Sequence, residues 1–195
     1  MEVKVQRKPA IFLDRDGTVS EEVGYMYHAG LYRLYPWTGE AIRKINESGM
    51  KAILTTNQSG IERGYFKEST VHEVHQVLQM ELKESKARID AIYYCPHVAE
   101  TNCDCRKPKP GMLLRAAREL EIDLNRSYMI GDRYIDVRTA HAAGVRSILV
   151  CSGDGAEEMA KYAGLPGPQP HYVADNLLRA VEAIISGQVR GTGEK

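Results

Sequence analysis

Two carboxylates stand close together in the segment 14–18, which reads DRDGT and follows a short apolar run. Residues at i and i+2 on an extended backbone face the same way, so Asp14 and Asp16 should lie side by side. Neighbouring carboxylates repel each other unless a cation lies between them. Hard oxygen ligands of this kind favour Mg²⁺, which binds through one or two carboxylates together with a phosphate. The pair predicts a magnesium site; the simpler alternative is a surface turn with two solvated acids.

A second cluster of potential metal ligands lies in the segment 95–105. Its members are Cys95, His97, Cys103 and Cys105. Three thiolates and one imidazole form a closed tetrahedral shell, which is typical of structural Zn²⁺ and leaves no position for a catalytic water. We expect this zinc to fix the loop so that Arg106 and Lys107, which follow directly, point toward the phosphate. A redox pair or three free thiols are the alternatives, and the spacing favours zinc.

The composition excludes several classes of protein. The chain has 195 residues, with 26 basic and 26 acidic side chains and a net charge of zero, which argues against nucleic-acid binding or membrane attachment by bulk charge. No apolar run approaches the roughly 18 residues of a membrane span. The first ten residues lack the apolar stretch of a signal peptide. We therefore expect a cytoplasmic, soluble protein, a monomer without nucleic-acid or membrane partners.

Strand-like and helix-like segments alternate along the chain. The strand-like segments are 10–14, 51–56, 91–95, 127–132, 146–151 and 172–175. The helix-like segments are 38–49, 69–85 (with Ser69 or Thr70 as its cap), 111–122, 135–144 and 176–186. This alternation is typical of βαβ units, so the sequence predicts an α/β fold with a doubly wound parallel sheet.

The polar residues that could do chemistry follow the predicted strands. Asp14 and Asp16 follow the first strand, Thr56 and Asn57 end the second, and Asp132 ends a later one. In open parallel sheets, ligands bind beyond the carboxyl ends of the strands. The sequence therefore predicts that these side chains meet at one crevice.

The connection 17–37 is longer than typical loops between a strand and a helix, so we expect a flap or small lid over that crevice. No segment between the predicted elements is long enough to fold as a large cap domain. We expect one domain over residues 1–187, including the short zinc loop 95–105, followed by a frayed tail at 188–195.

Four segments in this order resemble the motifs of the haloacid-dehalogenase-like phosphatases. They read LDRDGT (13–18), TTNQSG (55–60), RKPKPGM (106–112) and GDRYIDV (131–137). With YYCPH and CDCRKPKPGML added, the chain looks like the D-glycero-D-manno-heptose 1,7-bisphosphate 7-phosphatases and the related histidinol-phosphatases. The similarity extends from about residue 11 to residue 150. It includes a zinc-binding loop that, as in this chain, has Cys-x-His at one end and Cys-x-Cys at the other.

The resemblance implies a role for each matching residue. Asp14 would be the nucleophile that forms an aspartyl phosphate. Asp16 would protonate the leaving oxygen and then act as the base toward water. Thr56 would bind the phosphoryl group, and Lys107 would neutralise charge. Asp14, Asp16 and Asp132 would hold Mg²⁺, with the backbone carbonyl of Asp16 also binding.

The resemblance further implies a set of substrate contacts. These are Glu22, Val23, Gly24, Tyr25, Asn57, Gln58, Ser59, Arg106 and Arg133. The expected substrate is a small phosphorylated sugar. The leading candidate is heptose 1,7-bisphosphate, from which the 7-phosphate would be removed. In the family, this step leads to nucleotide-activated heptose for surface glycans. Histidinol phosphate is the alternative within the same chemistry. An alternative from a different class of protein is a zinc-stabilised binding module without catalytic activity. A zinc-ribbon protein that binds nucleic acid has still less support.

Overall fold

The computed structural model describes residues 7–189 and contains one parallel sheet. Its strands are β1 (Ala10–Leu13), β2 (Lys51–Asn57), β3 (Ala91–Cys95), β4 (Tyr128–Gly131), β5 (Arg146–Val150) and β6 (Tyr172–Ala174). Their order across the sheet is β3-β2-β1-β4-β5-β6, and every pairing is parallel. The chain runs outward from β1 to one edge and then returns to the centre at β4. This arrangement confirms the predicted doubly wound α/β fold.

Helices connect the strands. They are α1 (Thr38–Glu47), α2 (Glu68–Glu84), α3 (Gly111–Glu119), α4 (Tyr134–Ala143), α5 (Gly155–Tyr162) and α6 (Leu177–Ile185). Five were predicted with nearly the same bounds, but α2 begins after Lys67, without a side-chain cap from Ser69 or Thr70. Helix α5 was missed because its only buried residue is Gly155, so no apolar period marks it.

Strand β1 shows how the two helix layers form around the sheet. All four of its residues are buried, as expected for a central strand covered on both faces. Ile11 and Leu13 pack in a core with buried residues of α1, α2 and α6. Ala10 and Phe12 face the other way and pack with α3 and α4. The period of two along β1 therefore divides its side chains between the two layers.

The connection between β1 and α1 lies against the main core. Met26 and Tyr32 are buried there, and the only helical turn in this connection is the short 3-10 turn Ala29–Leu31. The amide of Glu21 donates to the carbonyl of Arg33, which holds the two ends of the loop together. The segment is therefore an anchored flap, and no cap domain is present within residues 7–189.

The end of the described chain is packed. Val189 is buried in the core with α6, whereas residues 190–195 of the predicted tail lie outside the described residues. No helix among the described residues has the length and apolar character to cross a membrane.

Candidate active site and metal centres

Three buried carboxylates meet at the carboxyl ends of the central strands. Asp14 follows β1, Asp132 follows β4, and Asp136 lies in the first turn of α4. Each offers an oxygen within 4.8 Å of the others. The first and second were predicted to converge here. Asp136 was missed, although the spacing GDRYID already placed a second acid on the next helical turn.

Lys107 lies between two of these acids. Its Nζ is 2.8 Å from Oδ1 of Asp14 and 2.6 Å from Oδ1 of Asp136, and it also donates to the carbonyl of Thr55 at 3.1 Å. The side chain of Lys107 is only 2% exposed. Each of its three N–H bonds can thus reach an oxygen, which fixes the ammonium beside Asp14.

The site carries more negative than positive charge. Burial raises the pKa of Asp14 to about 7, although Lys107 opposes the shift. Burial, together with the charges of Asp14 and Asp136, raises the pKa of Asp132 to about 8. Burial alone would lower the pKa of Lys107, but the charges of Asp136 and Asp14 outweigh this effect and raise the pKa above its ordinary value. Three carboxylates that share one ammonium suit a divalent cation, which would favour their charged forms.

The backbone approaches the Asp132 carboxylate unusually closely. A Cβ at Gly17 would lie 2.0 Å from Oδ2 of Asp132, and a Cβ at Gly153 would lie 2.4 Å from the same atom. Both glycines have positive φ, at +80° and +55°. The amide of Asp154 donates to this oxygen at 2.9 Å. Only glycine leaves room for the carboxylate here, so the local backbone is shaped around an acid at position 132.

The carboxylate of Asp16 lies outside this cluster, contrary to the expectation that it would stand beside Asp14. The chain bends at Arg15, so the extended geometry behind that expectation does not hold. Arg15 instead forms a bidentate pair with Asp16, and Gln58 donates to its Oδ2 at 3.0 Å. A contribution of Asp16 to a metal would therefore come from its main-chain carbonyl, as the resemblance also implies.

Residues at the end of β2 contact Gln58 and the backbone of Lys107. Thr56 is buried, and its Oγ1 accepts a 2.8 Å hydrogen bond from Gln58. Asn57 exchanges two hydrogen bonds with the backbone of Lys107, at 3.1 and 3.2 Å. Asn57 and Gln58 were expected to bind substrate; the amide of Asn57 and the Nε2 of Gln58 have protein partners, and both residues line the cavity.

A cavity of about 620 Å³ opens at Asp14 and Asp16. Eight of the nine predicted substrate contacts line it, namely Glu22, Gly24, Tyr25, Asn57, Gln58, Ser59, Arg106 and Arg133. Val23 does not line it and is 39% exposed, so its contact with substrate stays a prediction.

The sequence reasoning missed the wall contributed by α4 and α5. Arg138 and Lys161 lie against the ring of Tyr162, at 5.4 and 4.9 Å from its centroid, and all three residues line the cavity. Tyr25, which also lines the cavity, packs edge-on against Tyr65 with ring centroids 4.6 Å apart. The cavity lining thus combines aromatic rings with basic side chains.

The predicted zinc ligands come together at the end of β3. The three Sγ atoms lie 3.2 to 3.5 Å apart, and Nδ1 of His97 is 3.5 Å from Cys105 and 3.6 Å from Cys95. Ligand atoms in a tetrahedral Zn²⁺ shell are spaced by about 3.5 Å, given bonds of about 2.0 to 2.3 Å. The four side chains therefore fit a zinc ion, and none of the cysteines forms a disulfide.

Side chains from both sides hold this loop in place. Glu62 accepts hydrogen bonds from the amide of Val98 and from the hydroxyl of Thr101. Arg106 donates to the carbonyl of His97 at 2.9 Å. Because Glu62 belongs to the segment after β2 and Arg106 lines the cavity, the loop that carries the four potential zinc ligands is joined directly to the cavity.

Comparisons with known proteins agree with this architecture. The HAD-hydrolase-like family model matches residues 104–180. The D-glycero-beta-D-manno-heptose-1,7-bisphosphate 7-phosphatase of Pasteurella multocida is 38% identical over 87% of this chain and 93% of its own. The D-glycero-D-manno-heptose-1,7-bisphosphate 7-phosphatase of Thermosynechococcus vestitus is also 38% identical, over 91% and 95%.

Solved structures extend the similarity to the whole fold. The D,D-heptose 1,7-bisphosphate phosphatase of B. bronchiseptica, complexed with magnesium and phosphate, has a TM-score of 0.84 and 32% identity, covering 92% of this chain and 99% of that one. The corresponding phosphatase of Burkholderia thailandensis has a TM-score of 0.71 and 28% identity, covering 92% and 99%. Together with the acid cluster and the metal loop, these relatives show that the chain belongs to the D-glycero-D-manno-heptose-1,7-bisphosphate 7-phosphatase family of HAD-like hydrolases.

Proposed function

We propose that this protein is a Mg²⁺-dependent phosphatase that removes the 7-phosphate of D-glycero-D-manno-heptose 1,7-bisphosphate. The observation that carries the proposal is the buried contact between Asp14 and Lys107, 2.8 Å long, beside Asp132. A carboxylate fixed against an ammonium, at the bottom of an open cavity, is arranged to attack a phosphoryl group. A monomer in the cytoplasm remains the prediction from composition.

The reaction has two balanced steps. Asp14 attacks phosphorus through a carboxylate oxygen, the bond from phosphorus to the sugar oxygen breaks, and Asp16 gives that oxygen its proton. Water then attacks the aspartyl phosphate and gives a proton to Asp16, and the bond to Asp14 breaks to release inorganic phosphate. Lys107 and the hydroxyl of Thr56 stabilise the charge on the transferring oxygens.

Asp14, Asp132 and the main-chain carbonyl of Asp16 would hold the magnesium ion. The ion supplies positive charge to the phosphoryl oxygens and brings the nucleophile and substrate together. Asp136 is engaged by Lys107 through Oδ1 and by the amide of Arg133 through Oδ2, so its role is to hold the lysine. Cys95, His97, Cys103 and Cys105 would hold a structural zinc ion.

Two features support a sugar bisphosphate as the substrate. The relatives are named for heptose 1,7-bisphosphate, and the cavity is lined by Arg63, Arg106, Arg133 and Arg138 beyond the acids. A second phosphate would meet this basic rim once the first lies on Asp14. Such a contact would favour binding of a bisphosphate over binding of histidinol phosphate, which has one phosphate and a cationic group.

The test is phosphate release with Mg²⁺ from a panel of substrates. The panel contains both anomers of heptose 1,7-bisphosphate, fructose 1,6-bisphosphate, histidinol phosphate and a nucleotide. We expect at least roughly a hundredfold preference in kcat/KM for one heptose anomer, about 2.7 kcal/mol of discrimination. Similar kcat/KM values for all of these phosphates would support the phosphatase chemistry but overturn the assignment of the substrate. Release that needs no Mg²⁺ would overturn the metal assignment, and no release would overturn the chemistry.

A further inference from the structure

The carboxylate of Asp16 is held by two side chains from different parts of the chain. Nε of Arg15 donates to Oδ1 at 2.9 Å, and Nη2 of Arg15 donates to Oδ2 at the same distance. Nε2 of Gln58 also donates to Oδ2, at 3.0 Å. Three N–H donors in fixed directions leave this carboxylate little freedom to rotate, even though it is 16% exposed at an open cavity.

Gln58 connects Asp16 to a second polar group of the site. The same amide nitrogen donates to Oγ1 of Thr56 at 2.8 Å, so both of its N–H bonds have acceptors. The side chain is 6% exposed and enters the site from the segment after β2. Gln58 therefore fixes Asp16 relative to the hydroxyl of Thr56 and has no N–H bond left to donate to a substrate.

Arg15 is anchored at both its backbone and its side chain. Its carbonyl accepts hydrogen bonds from the amides of Val19 and Ser20, and its side chain is only 1% exposed. The neighbouring His75 on α2 adds no competing charge: burial, followed by the charge of Arg15, lowers the pKa of His75 to about 3. The guanidinium is thus a rigid, charged support behind Asp16.

We propose that Arg15 and Gln58 are positioning residues, which aim Asp16 at the oxygen of the leaving sugar. The proposal rests on the proposed function, in which Asp16 gives its proton to that oxygen as the bond from oxygen to phosphorus breaks. Proton transfer requires the two oxygens to approach within about 2.6 to 3.2 Å. The same donors stabilise the negative charge that develops on Asp16 as the proton leaves.

The leaving group distinguishes this role from a general structural one. Protonation matters greatly for a sugar alkoxide and little for 2,4-dinitrophenolate, which leaves readily as an anion. The ratio of kcat/KM for the preferred sugar phosphate of the panel to kcat/KM for 2,4-dinitrophenyl phosphate isolates it, because kcat/KM reports the steps through formation of the aspartyl phosphate. Any disturbance of Thr56 reaches the phosphoryl group of both substrates and cancels in the ratio.

We expect Gln58→Met to lower this ratio by about tenfold or more, in the direction of Asp16→Asn and by a smaller amount. Arg15→Lys keeps the charge but loses the bidentate pair, and it should shift the ratio in the same way. The matched control is Gln79→Met on α2, which also loses a side-chain hydrogen bond, to the carbonyl of Ile89, but lies away from the cavity. Its ratio should equal that of the unmodified protein.

Equal losses on both substrates in the Gln58 and Arg15 variants would overturn the positioning role while leaving the proposed function intact. If Gln58→Met does not fold, Arg15→Lys decides by the same ratio. An unchanged ratio in Asp16→Asn would instead overturn the assignment of the acid, and with it this proposal. Absence of turnover on every phosphate in the unmodified protein would overturn the proposed function itself.

Discussion

The ammonium of Lys107 lies closer to Asp136 than to Asp14, at 2.6 Å against 2.8 Å. The nearer of the two carboxylates that hold the lysine is therefore supplied by the first turn of α4, whereas Asp14 follows β1. Asp14 therefore contacts the ammonium of Lys107 but is not the only carboxylate that holds it. Under the proposed mechanism, Asp136 would keep the ammonium in place while Asp14 gains and loses a phosphoryl group.

Asp136→Ala should destabilise the protein as well as slow it. Lys107 keeps its contact with Asp14 but loses the nearer carboxylate, and loss of a charged hydrogen bond typically costs about 1.5 to 3 kcal/mol of the free energy of unfolding. We expect a marked fall in Tm, and a fall in kcat because Lys107 loses its fixed position. The matched control is Glu47→Ala, which breaks an exposed pair with Arg43 and should change Tm little. Equal changes in Tm would refute the structural role of Asp136.

Asp14→Asn should abolish turnover and leave the fold intact. The amide cannot form the aspartyl phosphate, yet it fits the same volume. Because burial raises the pKa of Asp14 to about 7, charging this group opposes folding, and the neutral amide should not lower Tm in the absence of Mg²⁺. Phosphate release and thermal melts test both statements. Retained turnover would exclude Asp14 as the nucleophile.

Cys103→Ser should remove the zinc and lower Tm. The remaining ligands would form an incomplete shell, and binding of a structural metal contributes directly to folding. Cys151→Ser is the control, because Cys151 lies at the end of β5 and outside the ligand cluster. Metal content after purification and thermal melts measure the effect. A full complement of zinc in Cys103→Ser would rule out this residue as a ligand.

Arg106→Ala should impair hydrolysis of the bisphosphate more than that of an aryl phosphate, by about tenfold, because a charged hydrogen bond contributes about 1.5 kcal/mol or more. Arg106 also donates to the carbonyl of His97, so metal content must be measured in the same preparation. Arg88→Ala, which lies outside the cavity, is the control. Equal losses on both substrates would show that Arg106 does not recognise the second phosphate.

The buried imidazole of His75 predicts a loss of stability in acid. Burial, followed by the charge of Arg15, lowers its pKa from the ordinary 6.5 to about 3, so the unfolded chain takes up the proton first as the pH falls. The stabilising effect is complete above the ordinary pKa and is lost between about 6.5 and 3, at up to about 1.4 kcal/mol per pH unit.

Melts of His75→Phe and of the unmodified protein between pH 8 and pH 5 test this expectation. The variant should show the shallower dependence, whereas His72→Gln on the exposed side of α2 should resemble the unmodified protein. Parallel curves for His75→Phe and the unmodified protein would contradict the prediction.

The sequence predicted those parts of the structure that depend on local pattern. The apolar run of β1 and the helical spacing of α1 indicated a parallel sheet, and that topology brought Asp14, Thr56 and Asp132 to one edge. The four residues of the proposed zinc site could be grouped from spacing alone, because they are close in the chain as well as in space.

The remaining features depend on long-range contacts. The carboxylate of Asp16 lies outside the acid cluster because the chain bends at Arg15 and because Arg15 and Gln58, the latter far along the chain, donate to it. Asp136 acquires its role only when α4 packs against the loop of Lys107. Helix α5 has almost no buried face, so only the folded chain reveals that Lys161 and Tyr162 reach the cavity.

The strand order has a consequence for how such a protein can diversify. The acids follow β1 and β4, which are neighbours at the centre of the sheet, whereas the metal loop follows β3 at one edge. Residues can be inserted or exchanged beyond β3 without altering the register between β1 and β4. Such changes can alter what the cavity recognises, provided that they leave in place Lys107, which follows the metal loop and contacts Asp14.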